Sequence, residues 1–343
     1  MTVSTSNGRV LIVGATGFIG QFVAEASLDA GRPTYVLLRP SSENHSKNKI
    51  AKSLQDRGAI LLNGVAKDKE LMVKLLKEHH IEIVISTVGG ERVLDQLCLV
   101  EAISSAGTVK RFLPSEFGHD VDRANPVEPG LKMYKEKRQV RRLVEKLDVP
   151  YTYICCNSIA SWPYYDNRHP SEVIPPLDQF QIYGDGSVKA YFVAGTDIGK
   201  FTMKTVDDIR TVNKSVHFRP ACNFYNMNEL AALWERKIRR TLPRATVTED
   251  DLLSAAEENR IPQSIVASFT HDIFIKGCQV NFSIDGLNET EVSSLYPDEP
   301  FRTLDECFND FLMKMKGENT KQSNEIPAPK PVVEAFAITA TCA

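Results

Sequence analysis

The chain has 343 residues, 42% hydrophobic and 25% charged, with a formal net charge of −3. This length exceeds one ordinary domain and suits a large domain plus a smaller one. The composition is that of a soluble globular protein, and the near-neutral charge gives no basis for nucleic acid or an anionic membrane surface as main partner. No apolar run approaches the roughly 18 residues of a membrane-spanning helix, and Met1 to Arg9 lacks the apolar core of a secretory signal, so no membrane span and a cytoplasmic location are expected. Seven cysteines, none in Cys-x-x-Cys spacing, read as reduced thiols, and no metal site is expected.

Along the first half, strand-like and helix-like patterns alternate. Arg9 to Val13 reads as a strand, followed by glycines and a helix from about Phe18 to Ala30. Strands follow at Thr34 to Leu38 and Ala59 to Leu62, a helix at Lys69 to Glu78, and a strand at Ile81 to Ser86. Then come a helix from Val93 to Ala106, a strand from Arg111 to Pro114, a helix from Pro129 to Leu147 and a strand from Tyr151 to Cys155. Such alternation predicts an α/β fold of the Rossmann type, a doubly wound parallel sheet with helices on both faces. His45 reads as lying in a polar loop.

The pattern changes after residue 157. Trp162 to Leu177 is rich in prolines and aromatics and reads as a loop. Helices are expected at Glu229 to Arg239 and Glu249 to Glu258, and a strand at Ile273 to Ile284. The expected organisation is a dinucleotide-binding domain over 1–157 and a smaller α/β substrate domain over 158–315, some of whose segments return to the first domain. A disordered tail is expected over 316–343. The smaller domain should cover the C-terminal edge of the sheet, where open parallel sheets bind ligands.

Gly14-Ala-Thr16-Gly17-Phe18-Ile19-Gly20 follows a strand and opens a helix. Gly14 suits the tight turn, Gly17 lets the backbone approach a pyrophosphate, and Gly20 lets the helix pack close to the sheet. The helix start favours the phosphate charge. The second strand ends on Arg39, where an NAD site usually carries an acid, and Lys47 follows. A fork-shaped cation suits a 2′-phosphate, so the cofactor expected is NADPH.

Two further residues carry chemistry. Tyr134-Lys-Glu-Lys137 resembles the Tyr-x3-Lys proton relay of short-chain dehydrogenases but is spaced i to i+3, so its members share a helix face without matching that motif. Lys137 is a candidate base or phenol-binding cation; Lys135, Arg138, Arg142 and Lys146 read as a solvated basic face. His119 follows Pro114-Ser-Glu-Phe-Gly118 at the C-terminal end of a predicted strand, and a histidine there can give or take a proton.

The glycine loop, Lys110-Arg-Phe-Leu-Pro-Ser-Glu-Phe-Gly118 and Lys137 together resemble the plant reductases related to isoflavone reductase, atypical short-chain dehydrogenases that include the pinoresinol–lariciresinol and phenylcoumaran benzylic ether reductases. Ile154-Cys-Cys-Asn-Ser-Ile-Ala-Ser-Trp-Pro-Tyr-Tyr165 and Thr270-His-Asp-Ile-Phe-Ile-Lys-Gly-Cys-Gln-Val-Asn-Phe-Ser-Ile-Asp-Gly286 resemble the flavan-3,4-diol-reducing branch of that family. His119, where other branches more often carry an apolar residue, and the ending Thr-Ala-Thr-Cys-Ala343 point the same way. The resemblance covers nearly the whole chain. It implies NADPH-dependent conversion of leucocyanidin to (+)-catechin, a step of flavonoid and proanthocyanidin biosynthesis. It assigns Lys137 as base at the 7-hydroxyl, His119 as acid at C4, Tyr134 and Ser158 to the substrate, and Thr87, Val88 and Arg141 to the cofactor. The competing readings are the neighbouring isoflavone, lignan and phenylcoumaran reductases and, in another class, a non-catalytic NADP(H)-sensing regulator.

Overall fold

The computed structural model describes residues 8–40, 45–166 and 172–322. In chain order the first half runs β1 (Val10–Val13), α1 (Phe18–Asp29), β2 (Thr34–Leu38), α2 (His45–Asp56), β3 (Ile60–Asn63), α3 (Lys69–Glu78), β4 (Ile83–Ser86), α4 (Asp95–Ala106), β5 (Arg111–Leu113), α5 (Gly130–Lys146) and β6 (Thr152–Cys155). The remainder runs β7 (Ser158–Ile159), β8 (Phe180–Tyr183), β9 (Lys189–Val193), α6 (Gly195–Thr205), β10 (Lys214–His217), β11 (Phe224–Asn226), α7 (Met227–Ile238), β12 (Arg244–Val247), α8 (Glu249–Glu257), α9 (Gln263–Phe274), β13 (Glu289–Glu291), α10 (Val292–Leu295) and α11 (Leu304–Gln322).

The first five strands pair in parallel in the order β3-β2-β1-β4-β5. A parallel bridge between Phe112 and Tyr151 carries the sheet on to β6, which pairs with β10, and β10 with β13, again in parallel. The strands are apolar on both faces because both are covered. Leu11 and Val13 pack with Met72, Leu99 and Val140 of α3, α4 and α5. The alternate residues Val10 and Ile12 pack with Val23, Leu54 and Ile198 of α1, α2 and α6. Helix α6 lies so close to α1 that a Cβ on Gly199 would stand 2.2 Å from the backbone oxygen of Phe22. The expectation that later segments rejoin the first domain thus describes α6, β10 and β13.

A further core, built on Trp162, Phe192, Trp234 and Phe308, holds β8, β9, α7, β12, α8 and α11. There β9 pairs with β7 and β11, and β8 with β12. Three sequence expectations are corrected. His45, expected in a polar loop, opens α2; only Ala51 and Leu54 of that helix are buried, too thin an apolar stripe to stand out in the sequence. The strand expected from Ile273 is the end of α9 followed by turns. That helix is buried on nearly every face, so it has no polar stripe to reveal its period. Residues 316–322, expected in the tail, continue α11 to Gln322, and 323–343 lie outside the described residues.

Candidate active site

The turn after β1 is shaped by Gly14, whose φ of +89° suits glycine, and Gly17 N donates to Gly14 O at 2.8 Å. A Cβ on Gly20 would lie 2.2 Å from that same oxygen, so a side chain there would force α1 away from the turn. Thr87, just past β4, ties the neighbouring strand end to the turn through its N–H and Oγ1, both donating to Val13 O. The result is a groove of about 400 Å³ between the C-terminal ends of β1 and β4, where the strand order reverses direction. Gly14, Thr16, Gly17, Arg39, Lys47, Thr87 and Val88 all line it.

Phe18, Ile19 and Gly20 stand behind this groove. Ile19 is buried in the core, and the Phe18 ring packs edge-on against Phe22 in a separate hollow. What α1 can offer an anion is the positive end of its peptide dipoles. At the far end of the groove stand Arg39, Lys47 and Arg92. Burial, then the Arg92 charge, pushes Arg39 below its ordinary pKa; burial, then Arg39 and Arg92, does the same to Lys47. Three cations at one end of a glycine-walled groove, with Asp95 3.7 Å from Arg92, leave a net positive charge there that fits a dinucleotide with an extra phosphate. Arg92 was not legible in the sequence, because only the turn after β4 brings it beside β2.

His119 emerges beyond β5, on the next strand end. Ser115 Oγ donates to Val88 O at 2.5 Å and so ties this loop to the groove wall. His119 is 8% exposed, and both its ring nitrogens are engaged: Nδ1 lies 2.5 Å from Tyr134 Oη and Nε2 lies 3.1 Å from Gln279 Nε2. Tyr134 and Lys137 arrive from one face of α5. Phe269 of α9 stacks on Tyr134 at 4.8 Å, and Lys137 Nζ donates to Glu116 O at 2.7 Å. Gln279 Nε2 also donates to Ser158 Oγ at 2.7 Å. The fold therefore gathers His119, Tyr134 and Ser158 into one hydrogen-bonded chain, with Lys137 close enough for its charge to act on His119. Gln279 joins them unannounced; an amide does not titrate and gave no chemical signal, although it lies within the Thr270–Gly286 stretch.

Burial, then the Lys137 charge, pushes the His119 pKa down to about 4. At neutral pH the ring is uncharged. This shift also ties stability to pH. The unfolded chain takes up the proton near the ordinary value of 6.5, whereas the folded one resists until about 4. His217, lowered mainly by burial, works in the same direction. Stability is fully present above pH 6.5 and is lost as pH falls toward 4, with a slope of up to about 1.4 kcal/mol per pH unit for each proton. Denaturant titrations between those pH values should show the slope, and His119→Phe should make it shallower; an unchanged slope would contradict the buried neutral ring.

The structure does not bring Arg141 to the groove. Its side chain is 2% exposed and bonds Glu116 at 2.8 Å, Asp120 at 2.7 Å and Asp122 at 3.1 Å, with its guanidinium 4.4 Å above the Tyr153 ring. Cys155 and His217 complete the surroundings of Asp120, the ligand atoms of the three lying within 4.8 Å of one another. Arg141 anchors the 116–122 loop that carries His119, and its expected cofactor role is withdrawn.

Comparison with known proteins accords with this geometry. The family model for the NmrA-like family matches residues 6–308. This chain belongs to the NmrA-like family. Among its relatives, leucoanthocyanidin reductase of Desmodium uncinatum is 63% identical over 338 residues, covering 98% of this chain and 88% of that protein. A phenylcoumaran benzylic ether reductase of Ginkgo biloba is 43% identical, covering 89% of this chain and 99% of that one. The binary complex of a Vitis vinifera leucoanthocyanidin reductase with NADPH superposes with a TM-score of 0.87 at 70% identity, covering 89% of this chain and all of that one. Among the described residues of this NmrA-like chain, no helix is long and apolar enough to cross a membrane.

Proposed function

We propose that this chain is an NADPH-dependent reductase of flavan-3,4-diols that converts leucocyanidin to (+)-catechin with loss of water. The observation that carries the reading is the buried Lys137 beside the His119–Tyr134 pair, on the strand end next to a groove tipped by three cations. The 63% identity to a leucoanthocyanidin reductase supports the choice of substrate.

Hydride cannot simply displace hydroxide from C4. Removing the 7-hydroxyl proton pushes electrons through the ring, and protonating the 4-hydroxyl lets it leave as water. The quinone methide so formed is electrophilic at C4. NADPH, when bound, supplies the hydride that C4 accepts. Lys137, held by Glu116 O, is assigned as the base at the 7-hydroxyl, a role that requires its neutral amine form, the ammonium being regenerated when it takes the phenol proton. The His119–Tyr134 pair serves the 4-hydroxyl, and Ser158 and Tyr134 orient the substrate. A panel of flavan-3,4-diol, isoflavone, lignan and phenylcoumaran substrates, with chromatographic identification of products, tests the assignment. Catechin from leucocyanidin is the expected principal activity; faster turnover of any other class would reject the assignment.

Arg39, with help from Lys47 and Arg92, is assigned to the 2′-phosphate, and Gly14, Thr16, Gly17, Thr87 and Val88 to the body of the cofactor. Losing a charge-assisted contact costs roughly 1.5–3 kcal/mol. Arg39→Ala should therefore raise the Michaelis constant for NADPH by about one to two orders of magnitude and that for NADH far less. Equal effects on the two cofactors would reject the assignment.

A further inference from the structure

The cofactor groove holds an acid among its cations. Of the described residues that line it, Asp95 alone carries a negative charge, and it shares the groove wall with Arg39, Lys47 and Arg92. Its Oδ2 lies 3.7 Å from Arg92 Nη1, the side chains being 27% and 48% exposed. Neither side chain has another ion pair among the described residues. Burial, then Arg92, lowers the Arg39 pKa, and Asp95 opposes both. A simpler role exists for this carboxylate: Asp95 opens α4, and an acid in the first turn suits the helix dipole. That role needs no place on the groove wall beside Arg92, which is what the fold gives it. A half-exposed ion pair without a hydrogen bond is weak. A phosphate dianion holds a guanidinium more firmly, through paired charge-assisted hydrogen bonds of about 2.7–2.9 Å. A 2′-phosphate therefore outcompetes Asp95 for Arg92, and an uncharged 2′-hydroxyl does not.

We propose that Asp95 is a positioning residue that holds Arg92 beside the empty groove and yields it to the 2′-phosphate, so that a phosphorylated cofactor binds against a resident competitor. The proposal rests on the assignment of the 2′-phosphate to Arg39, Lys47 and Arg92 made above. Preference between cofactors is a difference of affinities, and a competing group sets it as surely as an attractive one. The three cations favour the phosphorylated forms, and Asp95 restrains that preference. NADP⁺ carries the same phosphate as NADPH, so the restraint eases release of the spent cofactor. NADH and NAD⁺ lack the phosphate, leave Arg92 with Asp95 and escape the restraint.

The test is equilibrium titration of the full-length chain with NADPH, NADP⁺ and NADH. At about 0.15 M salt the Debye length is about 8 Å, so charges farther from Asp95 than the 2′-phosphate are largely screened. Asp95→Asn removes the charge and keeps the shape. It should tighten NADPH and NADP⁺ by about two- to fivefold, the range of a weak ion pair, and leave NADH unchanged. Asp95→Glu restores the charge and should return NADPH affinity toward the wild-type value. Asp95→Ser supplies a second neutral variant should the amide destabilise α4. In an Arg92→Ala background the competitor has nothing to withhold, so Asp95→Asn should no longer tighten NADPH. A neutral variant that binds NADPH no tighter, or that tightens NADH equally, would overturn the proposal. So would an undiminished effect in the Arg92→Ala background. A wild type that binds NADPH and NADH alike would overturn the 2′-phosphate assignment and the proposal with it, a result read before any variant is made.

Discussion

Replacing Lys137 with alanine is expected to lower turnover of leucocyanidin by about 10²- to 10⁴-fold while NADPH binding stays near normal, the signature of a lost general base. The spacing of α5 alone leaves Lys137 open to a trivial reading, as one more cation on a wet helix face. Its neighbour Lys135 is such a cation, exposed and paired with Glu128 at 3.1 Å. Lys137 is 2% exposed, turned inward and held by Glu116 O beside His119. If it serves only to order α5, its alanine variant would lose stability but keep kcat in the fraction that remains folded. A substrate-side control separates the chemistry from the side chain. Leucocyanidin methylated on its 7-oxygen has no proton for Lys137 to take and cannot form the quinone methide, so even the intact enzyme should fail on it. Normal turnover of that compound would refute the dehydration route whatever the variants did.

Arg141→Met should cost about 3–5 kcal/mol of stability, because it removes one partner from a buried ion network. Burial opposes the charge on this guanidinium, but Glu116 and Asp120 outweigh it and raise its pKa well above the ordinary value. Asp120 is lowered for the converse reason: burial raises it, and the charge of Arg141 overcomes that. Without the cation, Glu116 and Asp120 are left charged and nearly inaccessible at the base of the loop that presents His119. Chemical denaturation should report the loss directly, and the affinity for NADPH, measured on the folded protein, should change little. A variant with normal stability and weakened NADPH binding would return Arg141 to the cofactor and contradict the network.

The sequence and the structure agree where a local rule decides the outcome. The glycine turn, the strands on either side of it and the position of Arg39 all follow from short-range stereochemistry, and α3 falls at Lys69–Glu78 as its period and Asp68 cap dictate. They part where burial or distance decides. Helix α9 is enclosed so fully that its period is hidden, yet it supplies Phe269 to the Tyr134 stack. Gln279 reaches His119 across 160 positions of chain, and no pattern in either segment announces the other. The family resemblance implied Arg141 as a cofactor ligand, whereas the three carboxylates that claim it come from the loop after β5.

The most direct test of the central claim is a single-turnover reaction of the full chain with leucocyanidin and NADPH carrying deuterium at nicotinamide C4, in separate preparations for its two faces. Both preparations should lose their absorbance in step with catechin formation, and one of them should yield catechin with one deuterium at C4. Catechin without that deuterium from both preparations, or no consumption of NADPH on adding the flavan-3,4-diol, would contradict the account.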